Sequence, residues 1–184
     1  MGLEFKEQND LIKGCIDGDR SAQYAFYKKY SKAMYNISYR ITNDSDDAAD
    51  VLQEAFLSAY KYLHSFKGES SVGAWLKRIV VNASINHIKK QRLMYEPIEN
   101  HEAGEEENTL RDEDIILELE RVKSAIQQLP DGFRTVFSLY LLEGYDHREI
   151  ADILGISEST SKSQYNRAKK RLKEILKERV YING

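Results

Sequence analysis

The sequence predicts an all-α protein: two small helical domains joined by an acidic flexible linker, the C-terminal one carrying a helix-turn-helix. Three observations predict it. Apolar residues recur at three- and four-residue steps, and no segment alternates convincingly as a strand. Two prolines and ten glycines in 184 residues leave few breaks, which suits long helices. Charge falls in three blocks: net +3 over residues 1–95, −10 over 96–120 and +4 over 121–184, hidden in a total of −3.

The N-terminal domain, 1–92, begins with a short helix before Gly18. A longer helix follows with Ala22, Phe26, Tyr30, Ala33, Ile37 and Ile41 on one face. Asn43-Asp44-Ser45-Asp46 supplies turn and N-cap residues, and a second stripe runs through Ala48, Leu52, Ala55, Ala59, Leu63 and Phe66. The polar loop Lys67–Ser71 precedes a helix from about Val72 to Arg92, with Leu76, Ile79, Val80 and Ala83 facing inward. Residues 93–110 hold Pro97, Gly104 and Glu105-Glu106-Glu107 without apolar periodicity, and read as the linker. Fully extended, such a segment reaches roughly 60 Å.

In the domain 111–184, Ile115, Leu119, Val122, Ile126 and Leu129 form a stripe ended by Pro130. Asp131 is expected to cap a helix bearing Phe133, Val136, Phe137, Tyr140 and Leu141, and Gly144 to end it. Asp146 and Glu149 have capping-box spacing. Ile150 to Ser157 has helix-turn-helix spacing, with Ala151 at the crossing, Gly155 in the turn and Ser157 as the next cap. In the last helix Tyr165, Ala168, Leu172 and Leu176 face inward. Lys162, Ser163, Asn166, Arg167 and Lys170 face outward, groups able to bond base edges beside cations able to hold phosphates. Ser161 stands where a helix-turn-helix usually buries an aliphatic residue.

Composition excludes several classes. With 41% hydrophobic and 31% charged residues the chain is neither disordered nor membrane-spanning. Its single cysteine, Cys15, excludes an intramolecular disulfide and a multi-cysteine metal site. The start lacks an apolar signal core, and Lys6 replaces the Ser or Thr of a myristoylation signal, so the cytoplasm is the expected compartment. His64, His87, His101 and His147 lie in separate segments, with no zinc spacing, nucleophile motif or phosphate-cradling loop. Neither an enzyme nor a cofactor is expected. A helix-turn-helix regulator that binds DNA on its own is one class left open; a membrane-associated adaptor has no support.

Several motifs follow one another in order: Asp47-Ala48-Ala49-Asp50-Val51-Leu52-Gln53-Glu54-Ala55-Phe56; Phe66-Lys67-Gly68-Glu69-Ser70 with Ala74-Trp75-Leu76-Lys77-Arg78-Ile79 and Asn82; and Leu129-Pro130, Phe133-Arg134, Glu143-Gly144-Tyr145 with the helix-turn-helix. Together they resemble the extracytoplasmic-function sigma factors, the smallest class of the family that recruits RNA polymerase to promoters. The resemblance covers nearly the whole chain. The family commonly has an aliphatic residue at Ser161 and arginine at Gln164, departures that bear on the promoter sequence.

The resemblance implies a role for each part. Asp50, Gln53, Glu54 and Phe56 would contact core RNA polymerase. Lys67, Ser70, Lys77, Arg78, Asn82, Asn86, Lys89 and Lys90 would bind and open minus-ten promoter DNA; Trp75 beside Leu76 and Ile79 is expected in the core. Ser159, Thr160, Lys162, Ser163, Asn166, Arg167 and Lys170 would read the minus-thirty-five element. Glu102, Glu105, Glu106 and Glu107 of the linker would thread near the RNA path, or serve only as a solubilising tether. An anti-sigma factor, often membrane-anchored, is the further partner implied, with no direct membrane insertion by this chain.

Overall fold

The computed structural model describes the backbone of residues 2–94 and 113–182, and the side chains of 9–91 and 119–177. The expected linker, with Glu102, Glu105, Glu106 and Glu107, lies outside these residues apart from positions 93 and 94, which are helical. All regular structure among the described residues is helical, and the chain divides into two units, Met1–Leu93 and Met94–Gly184.

Unit 1 holds α1 (Gly2–Ile16), α2 (Arg20–Thr42), α3 (Ser45–Tyr62) with a 3-10 turn at Leu63–Ser65, and α4 (Val72–Met94). Short polar residues set the boundaries. Asp19 Oδ1 accepts the Ser21 N–H at 2.9 Å, and Asp44 Oδ1 accepts those of Asp46 and Asp47 at 2.9 and 3.0 Å. These bonds satisfy amides that have no carbonyl partner in the first turn. Asn43, at φ 62°, ends α2 by donating its N–H to Tyr39 O, a left-handed conformation that asparagine tolerates. Ser71 Oγ accepts the Ala74 N–H at the start of α4.

Phe26, wholly buried, centres the core of unit 1. Its ring meets Tyr30 at 4.9 Å, Tyr60 at 6.0 Å and Phe56 at 6.1 Å, contacts that add to the ~1.5–3 kcal/mol of burying such a side chain. The stripes on α3 and α4 enter this core as expected through Ala48, Leu52, Ala55, Ala59, Leu63, Leu76 and Val80; Ile79 and Ala83 are only half-buried. On α2 the expectation for Ala33 is overturned: it is exposed and Met34 is buried. Both positions fit the three-and-four spacing, and the larger side chain gains more from leaving water.

Unit 2 holds α5 (Glu113–Gln127), α6 (Asp131–Phe137), α7 (His147–Leu154) and α8 (Glu158–Ile182). Ala125, Ile126, Leu129, Phe137, Ala168 and Ile175 form a buried cluster on which Phe133, Tyr165, Leu172 and Leu176 pack. Asp131 does not cap α6. It is the first helical residue, after an N-cap Pro130 without a side-chain bond, and its carboxylate accepts from Arg134 Nη2 at 2.8 Å. Arg134 is buried, and its Nη1 donates to Leu129 O at 3.0 Å.

The end of α6 also departs from expectation. The helix widens into a π-helical turn over Ser138–Leu142, with Glu143 N–H bonded to Ser138 O. That turn carries Leu139 inside and leaves Tyr140 and Leu141, among the apolar residues expected on this helix, exposed. Leu119 and Val122 of α5 are exposed as well.

Candidate nucleic-acid interface

The helix-turn-helix is assembled by local bonds. Asp146 Oδ1 accepts the Arg148 and Glu149 N–H groups at 2.8 Å, and Glu149 Oε2 accepts the Asp146 N–H at 2.9 Å, completing the capping box. Gly155 ends α7 at φ 71°, and its N–H and that of Ile156 both bond Ala151 O. No side chain would collide there, so backbone conformation alone calls for glycine. Ser157 Oγ then accepts the Thr160 N–H at 3.0 Å and lies 2.9 and 2.7 Å from the Ser159 and Thr160 hydroxyls.

Beyond that cap, Ser159, Lys162, Ser163, Asn166, Arg167 and Lys170 are all exposed, and Thr160 is half-buried. Lys162 is ion-paired with Glu158 one turn back. The hydrogen bond from Lys162, with its positive charge, holds the Glu158 carboxyl below its ordinary range. Gln164 lies over Gly132 of α6, where its amide approaches within about 3.4 Å of the space a Cβ would take. Ser161 is wholly buried, and its Oγ lies 2.9 Å from His147 Nδ1.

A second polar face runs along α4. Arg78, Asn82, Asn86, Lys89 and Lys90 are exposed at spacings that share one side of the helix, while Lys77 is half-buried. The loop before α4 presents Lys67, Glu69 and Ser70 to solvent around Gly68, which has φ 73°. Trp75, expected in the core, is only half-buried, with its ring 5.6 Å from that of Phe66.

On α3, Asp50, Gln53 and Glu54 are exposed together, opposite the buried stripe. Phe56 does not join them. It is 3% exposed, 4.8 Å from the Tyr27 ring and 6.1 Å from that of Phe26, so it fastens α3 to α2. The exposed apolar side chain on this surface is Leu57, at 66%. With Tyr27, Leu52 and Gln53 it borders a groove of about 560 Å³ whose floor includes Phe56. The signal for Leu57 was its place on the helix, three and four residues after Glu54 and Gln53 and away from the apolar stripe. Among the described residues no three His, Cys, Asp or Glu side chains gather as a metal site, and no helix is long and apolar enough to cross a membrane.

Comparison with known proteins places the same segments. The model of Sigma-70 region 2 matches residues 26–93, and that of Sigma-70 region 4 matches 119–172. The RNA polymerase sigma-H factor of Pseudomonas aeruginosa is 31% identical over 185 residues, spanning 95% of this chain and 96% of its own. The ECF RNA polymerase sigma factor SigW of Bacillus subtilis is 30% identical over 179 residues, with coverage of 91% and 95%. Among solved structures, the sigma factor RpoE from Bartonella quintana, crystallised with the anti-sigma factor NepR, shares the fold at a TM-score of 0.58. It is 24% identical and covers 84% of this chain and 96% of that one.

Proposed function

The chain belongs to the extracytoplasmic-function sigma factors, transcription initiation factors that direct RNA polymerase to promoters, and from that premise we propose how its surfaces divide the work. Asp50, Gln53, Glu54 and Leu57 on α3 take hold of core polymerase, with Phe56 positioning that helix from beneath. The loop Lys67–Ser71 and the α4 face of Arg78, Asn82, Asn86, Lys89 and Lys90, with Lys77 at its margin, bind and open the minus-ten element. Extruding a base costs a few kcal/mol, which pocket contacts and phosphate neutralisation must offset. Ser159, Thr160, Lys162, Ser163, Asn166, Arg167 and Lys170 on α8 read the minus-thirty-five element.

One observation carries the reading: α8 leaves a capped turn with Ser159, Lys162, Ser163, Asn166, Arg167 and Lys170 all exposed, hydroxyls and an amide alternating with cations. The domains run over 1–92 and 111–184, and the protein works in the cytoplasm, where polymerase is. The glutamates of the linker keep free-protein affinity for DNA low by offsetting two weakly basic domains. An anti-sigma factor that covers the α3 surface is the further partner.

The test against a polymerase-independent regulator is promoter binding by the purified chain with and without core polymerase. Tight, specific binding is expected only with polymerase present. Equally tight binding of a symmetric operator by the chain alone contradicts the reading.

A further inference from the structure

Ser161 is the residue at which this recognition helix departs from the usual aliphatic pattern, and the structure gives the departure a partner. His147, the first residue of α7, reaches across the helix-turn-helix and places Nδ1 2.9 Å from the buried Ser161 Oγ. Besides Ser161, two aromatic side chains hold that imidazole. Tyr140, from the π-helical turn, stacks on it at 4.4 Å with planes 12° apart. Tyr165, one turn after Ser161 on α8, meets it edge-on at 5.7 Å and lies 4.6 Å from Tyr140. The widened turn that looks like an irregularity in α6 is what brings Tyr140 to the site.

We propose that His147 is a positioning residue for promoter recognition: its hydrogen bond to Ser161 sets the roll and depth at which α8 is presented to the minus-thirty-five base pairs. The reasoning is geometric. An aliphatic residue at a helix crossing is held by packing, which is non-directional and tolerates small rotations. A hydrogen bond weakens steeply when its angle or length departs from a narrow range, and here its two ends sit on different helices. The outward side chains Lys162, Ser163, Asn166 and Arg167 begin one residue beyond Ser161, so a rotation of α8 that breaks the bond moves all of them together across the groove. Base-edge contacts are the part of an interface most sensitive to such a shift, because phosphate contacts carry no sequence information.

The inference rests on the assignment of α8 to minus-thirty-five reading, and its test separates the two. Holoenzyme formed with the intact chain is measured on a panel of promoters carrying every single-base change in the minus-thirty-five element, with thermal unfolding recorded for each variant. Ser161→Ala and His147→Phe are each expected to reduce discrimination between the preferred sequence and its single-base variants at least threefold. Ser161→Ala in the His147→Phe background adds nothing further, since the bond is already lost. Ser161→Thr, which keeps the hydroxyl, preserves the wild-type ranking. The double variant H147F/S161V rebuilds an apolar crossing, recovers thermal stability and keeps the weakened discrimination. The proposal is overturned if folded variants discriminate as the wild type does and differ only in thermal stability. If the wild-type protein itself ignores the minus-thirty-five sequence, the assignment of α8 fails, and this inference falls with it.

Discussion

His87 Nε2 on α4 stands 2.9 Å from Asp47 Oδ1 on α3, each side chain about a quarter exposed. The ring nitrogen is not aimed for an aligned hydrogen bond; the aligned donor is Gln91 Nε2, 2.8 Å from Asp47 Oδ2. One carboxylate thus ties the helix assigned to polymerase to the helix assigned to minus-ten DNA. Asp47→Ala is expected to destabilise unit 1 by about 1–2 kcal/mol. Gln91→Ala should cost less in that background than alone, because both changes remove the same contact. Urea unfolding of the three variants measures the coupling; additive losses contradict it.

The two neighbouring apolar residues on α3 have opposite expected effects. Phe56→Ala opens the packing against Phe26 and Tyr27 and should cost about 3–5 kcal/mol of stability. Leu57→Ala removes an exposed side chain and should change stability by less than about 0.5 kcal/mol, yet weaken capture by core polymerase. Charge reversal at Asp50 and Glu54 together should abolish co-purification with core polymerase while leaving the melting temperature near wild type. Retained co-purification of the charge-reversed, folded protein contradicts the α3 assignment.

Glu158 restrains Lys162, a cation assigned to the minus-thirty-five DNA. Its carboxylate pairs with Lys162 in the free protein, and Lys162 must exchange that partner for a phosphate on binding. Glu158→Gln is expected to tighten holoenzyme binding to a minus-thirty-five duplex severalfold, while Lys162→Ala weakens it and lowers the slope of log affinity against log salt by about one. A salt titration by fluorescence anisotropy reads both quantities. An unchanged slope means that Lys162 does not meet a phosphate.

Tyr60 makes the stability of unit 1 sensitive to alkali. Burial, with smaller contributions from Cys15 and Tyr27, raises its phenol from 10 to about 12, and its hydroxyl donates to Gln23 O at 2.8 Å. The unfolded chain releases this proton at the lower pH, so the stability it contributes is intact below pH 10 and is lost as pH rises towards 12. Tyr60→Phe should lower stability at neutral pH by about 1 kcal/mol and flatten the decline above pH 10. Parallel denaturation curves for the two proteins across that range, at a constant separation, contradict the role given to the phenol.

Much of this organisation is legible in the sequence because it depends on local chemistry. Asp44, Asp146 and Ser157 act within three residues of themselves, and Gly155 is required by a single backbone angle, so their roles need no knowledge of the rest of the fold. What escapes the sequence depends on non-local packing. Ala33 and Met34 both satisfy the helical spacing, and only the facing helices decide which is buried. Asp131 has the chemistry of a cap but sits one position too late, and its carboxylate goes to a buried arginine. The π-helical turn has no marker residue, so the outward turn of Tyr140 and Leu141 is invisible beforehand. Ser161 reads as a defect until His147, fourteen residues earlier, is seen across the crossing. The polar faces of α4 and α8 are the most readable parts of the site, since their residues need only be exposed together on one helix.

Transcription in vitro with mapped RNA 5′ ends reads out whether this one chain gives core polymerase its promoter choice. Core polymerase and a pool of genomic fragments are transcribed with and without the protein. The expected result is a set of new start sites that depend on the protein and share two upstream sequence elements at constant spacing. Start sites that are the same with and without the protein, under conditions where it binds polymerase, contradict that role.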